Sequence, residues 1–129
     1  MIELAVDRGA TESVIPSDAL ESVPTVEGAA HKRGVMYQVA NGEVIPNQGE
    51  KRILAVTEEG VEKRLVLQVC EVNQGLISAS KLAASGNRVI LDDDGSYVEN
   101  KSSGQKTWLE KRDGMYIMKL WVHRVKSPL

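Results

Sequence analysis

The sequence has little cysteine and little histidine, and it has no long apolar run. Cys70 is the one cysteine, which excludes a disulfide within the chain and fits a reducing compartment. Cys70, His31 and His123 form no spaced ligand cluster, so we expect no metal and no cofactor. No stretch approaches the roughly 18 apolar residues of a membrane span, and the N-terminus lacks the basic and apolar regions of a signal peptide. These absences predict a cytoplasmic (intracellular) protein without membrane contact.

An excess of one charge is also missing. The chain has 16 Lys and Arg against 18 Asp and Glu, which gives a formal net charge of -2. Proteins that bind nucleic acid usually carry a basic excess, so this balance argues against nucleic acid as a partner. The length of 129 residues suits a single domain that can bury a core without disulfides or metals.

Short runs rich in Val, Ile and Leu, separated by turn residues about every ten positions, predict an all-β domain. Asn41-Gly42 stands between two such runs and predicts a hairpin with a type I′ turn, because that turn needs positive φ at both positions. One short helix is expected over Ser80 to Ser85, with Ser78 or Ser80 as its cap. We expect 1–129 to be one domain with a core over 1–87 and a β-meander over 88–122.

The sharpest motif is Asp7-Arg8-Gly9-Ala10-Thr11, which follows the apolar strand Ile2 to Val6 and precedes a second apolar run. The glycine lets the backbone fold tightly beside the carboxylate, and the loop would hold that carboxylate between two strands. The alternative is a plain turn, since Asp and Gly are common turn residues. The second Asp-x-Gly, Asp93-Asp94-Gly95, is interpreted as a solvated hairpin turn because three acids precede its glycine.

The loop resembles the active-site loop of the retropepsins, the aspartic proteases in which a strand ends in Asp-Ser-Gly or Asp-Thr-Gly followed by Ala. The segment Tyr37 to Gly42 is similar to the flap hairpin of this family, in the version found in copia-type retrotransposon polyproteins. The segment Gly75 to Leu82 is similar to the closing segment, in which two apolar residues lead into a short helix. The stretch Gly86 to Val122 is similar to the region that follows the protease in copia-type polyproteins.

The resemblance implies a fold, an activity and a set of site residues. The fold is an all-β, retropepsin-like closed barrel with a flap hairpin, one short helix and the C-terminal meander. The activity is that of an aspartic endopeptidase acting as a homodimer, in which two copies of Asp7 share one proton and activate a water against an extended peptide. The implied site comprises an active-site loop (Asp7, Arg8, Gly9, Ala10, Thr11), a flap (Val39, Ala40, Asn41, Gly42) and a substrate groove (Leu76, Ile77).

Two departures from the family pattern bear on activity. Arg8 stands where the family carries a small hydroxyl residue that braces the dimer, and its charge is permanent. Only six residues precede Asp7, so we expect the terminal interface strand to be missing or replaced by the meander. Two alternatives to a peptidase therefore stay open. One is a weak or inactive peptide-binding or dimerisation module of the same fold, and the other is an unrelated small β-barrel interaction domain.

Overall fold

The structure is a computed structural model that describes residues 1–39 and 41–122. This part of the chain contains two short helices, α1 (Ala29–Lys32) and α2 (Ala79–Ala84), and is otherwise built from strands. The strands are β1 (Ile2–Asp7), β2 (Val14–Ile15), β3 (Met36–Gln38), β4 (Val44–Pro46), β5 (Gly49–Val56), β6 (Glu62–Val69), β7 (Leu76–Ser78), β8 (Asn87–Ile90), β9 (Ser96–Asn100), β10 (Lys106–Arg112) and β11 (Met115–Val122). The predicted predominance of β-structure is confirmed.

Nine of the strands form one sheet that closes partly into a ring. The order is β1-β7-β2-β6-β5-β11-β10-β9-β8, and an additional pairing of β1 with β11 closes the first six strands on themselves. β7 runs parallel to β1, with Asp7 opposite Ser78. β11 runs antiparallel to β1, with Ala5 opposite Ile117. The last strand of the meander is therefore part of the ring and is the neighbour of the first strand.

The core fills the inside of this ring. Residues in strands alternate between two faces, and the inward-facing members of β1, β2, β6, β7 and β11 pack together with Leu82 of α2. The largest core side chains, each 1% exposed or less, are Leu4, Ile15, Leu67, Ile77, Met118 and Leu120. Cys70 is fully buried, and burial raises the pKa of its thiol.

The helix prediction is correct for α2 and incomplete for the chain. Ser78 caps α2 by accepting a hydrogen bond from the amide of Lys81, and Gly86 follows the helix with a φ of +87°. The prediction of a single helix was wrong, because a second helix, α1, precedes β3. α1 is one turn long, has no side-chain cap and buries no residue, so it leaves no pattern in the sequence.

The stretch predicted as a meander contains four strands. β8, β9, β10 and β11 follow one another as antiparallel neighbours, with Val89 opposite Val98 and Trp108 opposite Tyr97. β10 pairs with β11 only near their connecting turn, where Glu110 lies opposite Ile117. Within residues 1–39 and 41–122, neither helix is long and apolar enough to span a membrane.

Leu67 and Val66 test the core assignment on one strand. Leu67 is 0% exposed, whereas Val66 is 49% exposed. We expect Leu67→Ala to lower the free energy of unfolding by about 2–5 kcal/mol, because it removes buried methyl groups and leaves a cavity. The matched control Val66→Ala should change it by less than about 1 kcal/mol. Urea denaturation measures both, and equal losses would contradict the assigned faces of β6.

Candidate active site

Asp7 is the last residue of β1 and is held by the strands beside it. Its Cα lies in register with that of Ser78 on β7, and its side chain is half-buried. The carboxylate oxygen Oδ1 accepts a hydrogen bond of 2.8 Å from the amide of Gly9. Gly9 does not have a positive φ, and a Cβ built on it would lie 3.4 Å from Asp7 Oδ1. The loop therefore turns back on the carboxylate through this amide without needing a left-handed backbone.

Two buried serines fix the rest of the loop. The hydroxyl of Ser78 donates to the carbonyl oxygen of Ala10 at 2.7 Å, and its amide donates to the hydroxyl oxygen of Ser13 at 3.0 Å. Ser78 is 0% exposed and Ser13 is 6% exposed, so these bonds have little competition from water. Both ends of the loop are thus attached to the start of α2.

The hairpin β3–β4 is present, but its turn is not the predicted type I′. Gln38 lies opposite Val44, and the amide of Val39 donates to the carbonyl of Glu43 at 2.9 Å. Five residues, 39–43, lie between the two strands, and Asn41 lacks the positive φ that a type I′ turn over Asn41-Gly42 needs. Gly42 has a φ of +88°, in the left-handed region that favours glycine. The type I′ prediction was wrong because the dipeptide specifies a tight turn but not the strand register.

The hairpin and the Asp7 loop face each other across a cleft of about 530 Å³. Asp7 and Gly9 line one side, and Tyr37 and Val39 line the other. Glu12 also contributes a carboxylate to this cleft, but its Oε1 lies 3.4 Å from the ammonium group of Lys81. The cleft is open to solvent beside Asp7.

The other predicted site residues fall in several places. Ala10, Thr11 and Leu76 line the cleft, whereas Ile77 is 1% exposed and belongs to the core. The pairing of Leu76 with Ile77 as groove residues does not hold, because neighbours in a strand point to opposite faces. Arg8 is exposed beside Asp7, and no ion pair within the described residues includes it.

The hairpin tip and the second acidic motif both lie at the surface. Asn41 and Gly42 are exposed at the tip and do not line the cleft. Ala40 lies outside the described residues. Asp93 and Asp94 are exposed in the connection from β8 to β9, in agreement with the hairpin-turn interpretation.

A buried polar cluster at the base of the hairpin was missed by sequence reasoning. Asn47 is 4% exposed, and its side-chain amide donates to the Tyr37 hydroxyl at 2.9 Å and to Gln68 Oε1 at 2.7 Å. The backbone carbonyl of Asn47 accepts from His31 Nδ1 at 2.8 Å. The sequence features of this cluster are an Asn after a Pro and a Tyr near a turn, and both are common in loops. Only the tertiary contacts identify them as a cluster.

Burial and hydrogen bonds set the electrostatics around the cleft. Burial, with a smaller contribution from the charge of Glu12, raises the pKa of the Tyr37 hydroxyl, while the bond from Asn47 opposes the shift. Tyr37 is therefore a neutral phenol at neutral pH. No group of three or more His, Cys, Asp or Glu side chains in the described part of the chain is placed to hold a metal ion.

No protein-family model, curated protein or solved structure matches this chain.

Ser78→Ala tests the attachment of the loop. The change removes the helix cap and the bond to Ala10, so we expect a loss of about 1–3 kcal/mol in the free energy of unfolding and faster amide exchange in residues 8–13. Ser80→Ala is the matched control, because Ser80 is exposed and lies 3.5 Å from the same carbonyl. A Ser78→Ala protein as stable as the control would show that this bond does not brace the loop.

Proposed function

We propose that this protein is a retropepsin-like aspartic endopeptidase that acts as a homodimer with one catalytic Asp7 per chain. The observation that carries the proposal is the position of Asp7. It lies at the end of a ring strand, on a loop tied to the start of α2, in a cleft that the hairpin covers. A carboxylate held in this way faces the space where a peptide would lie. The resemblance of the Asp7 loop and the hairpin segment to the retropepsins supports the same assignment.

The proposed reaction uses two copies of Asp7 that share one proton. Like charges at short distance cannot both ionise cheaply, so one carboxyl stays protonated. The ionised Asp7 takes a proton from a water, whose oxygen bonds to the carbonyl carbon of the peptide. The protonated Asp7 donates to the carbonyl oxygen. Collapse of the tetrahedral intermediate breaks the carbon–nitrogen bond, and the leaving nitrogen takes up a proton. The hairpins would exclude bulk water from the closed cleft.

A specific residue favours a second candidate function. Arg8 follows Asp7 directly and would lie close to the two-fold axis of the proposed dimer. A fixed positive charge there favours the doubly ionised pair, whereas the reaction needs one protonated carboxyl. The second candidate is therefore a weak or inactive protein of the same fold that binds peptide or serves for dimerisation.

The proposed mechanism requires assembly, because each chain supplies one Asp7. We expect a symmetric homodimer with the same surface of each chain in the interface. Light scattering and sedimentation at micromolar concentration measure this directly. A strict monomer across the accessible concentration range would leave Asp7 without its partner and would remove the peptidase mechanism.

Arg8→Ser separates the two candidate functions. We expect the substitution to tighten the dimer and to raise turnover of a peptide library by about tenfold or more, the change that 1.4 kcal/mol of barrier produces. Asp7→Asn in the Arg8→Ser background should abolish turnover. Arg64→Ser removes a different exposed arginine and should change neither property. If the unsubstituted chain already cleaves as fast as Arg8→Ser, the electrostatic argument against Arg8 fails.

A further inference from the structure

The orientation of the Asn47 side chain follows from its partners. The amide of Gly49 is a donor and lies 2.8 Å from Asn47 Oδ1, so that atom must be the carbonyl oxygen. The other terminal atom is then the nitrogen Nδ2, which faces Gln68 Oε1 at 2.7 Å and the Tyr37 hydroxyl oxygen at 2.9 Å. The two protons of Nδ2 are both used in these bonds. The Asn47 side chain is fully satisfied in one orientation.

This orientation also determines the role of the Tyr37 hydroxyl. Because Asn47 is the donor, the Tyr37 oxygen is the acceptor, and the bond leaves the hydroxyl proton unused. Within the described residues no acceptor lies within hydrogen-bonding distance of that proton. Tyr37 belongs to β3 and lines the cleft opposite Asp7. A residue of the cleft wall therefore has a hydroxyl proton without an acceptor in the described part of the chain.

We infer that the Tyr37 hydroxyl is a substrate-binding donor, which takes a backbone carbonyl of an extended peptide in the cleft, and that Asn47 positions it. The inference rests on the proposed function and adds a residue to it. Val39, Met36 and Leu76 of the same lining are apolar and suit the side chains of a peptide, and Thr11 and Gln38 are the other lining residues with a neutral side-chain donor. The phenol proton would donate a hydrogen bond to such a carbonyl. A buried acceptor without a partner carries a free-energy penalty, so this bond favours binding.

The first experiment measures peptide binding without cleavage. The probe is a library of decapeptides that contain one reduced peptide bond, and the tightest binder of the unsubstituted protein is selected and measured by calorimetry. Tyr37→Phe removes only the hydroxyl, and we expect its Kd for this peptide to be about five- to tenfold higher. Tyr116→Phe removes a hydroxyl from half-buried Tyr116 on β11, outside the cleft, and should leave Kd unchanged.

The second experiment tests the role of Asn47 as a positioning residue. Asn47→Asp places an oxygen where Nδ2 was, so the Tyr37 hydroxyl must donate to it and turns its proton away from the cleft. We expect this variant to lose as much affinity as Tyr37→Phe, and the double variant to lose no more than either one. A residue that merely stabilises the hairpin would give additive losses. If Asn47→Asp does not fold by circular dichroism, Tyr37→Phe decides the question alone.

The possible outcomes separate this inference from the proposed function. A Tyr37→Phe protein that binds the selected peptide as tightly as the unsubstituted chain would overturn the inference and leave the peptidase proposal standing. A failure of both the unsubstituted and the Arg8→Ser proteins to bind any member of the library would overturn both.

Discussion

The closure of the ring by β11 is the constraint on which the rest of the structure depends. β11 pairs with β1 through residues 117–120 and with β5 through Trp121 and Val122. β1 therefore has two neighbours in the sheet, β11 along its first half, up to Ala5, and β7 along its second half, from Ala5 to Asp7. Because β1 ends at Asp7, whose partner in the register is Ser78, the pairing with β7 fixes the start of the Asp7 loop.

Local signals in the sequence were sufficient to locate the elements but not to join them. Three local signals each depend on a few adjacent residues. As predicted, Asp7-Arg8-Gly9 opens a loop, Asn41-Gly42 lies in a hairpin, and Ser78 caps the start of a helix. The contact of Asn47 with Gln68 joins residues 21 positions apart in the sequence. Single-residue patterns carry no record of such pairings. The pairing of β1 with β11 joins residues more than a hundred positions apart and is likewise not recorded in a local pattern.

Arg8 separates the requirements of the fold from those of the proposed assembly. In a single chain its side chain is exposed and fully hydrated, so it imposes no electrostatic penalty on the ring or on the bonds that hold the loop. In the proposed dimer two such side chains would approach each other beside the two copies of Asp7, and burying them would cost several kcal/mol per charge unless each gained a partner. Under the proposed function, Arg8 would therefore affect association rather than the fold of the single chain.

The hairpin combines a fixed base with a weakly packed tip. β3 and β4 form a two-stranded sheet of their own, and such a hairpin is marginally stable by itself in water. Met36 is 52% exposed and Val44 is 56% exposed, so apolar burial contributes little to holding it. The Asn47 cluster supplies what packing does not, because it ties Tyr37 of β3 to Gln68 of β6 within the ring. The direction of the hairpin is consequently set by hydrogen bonds at its base.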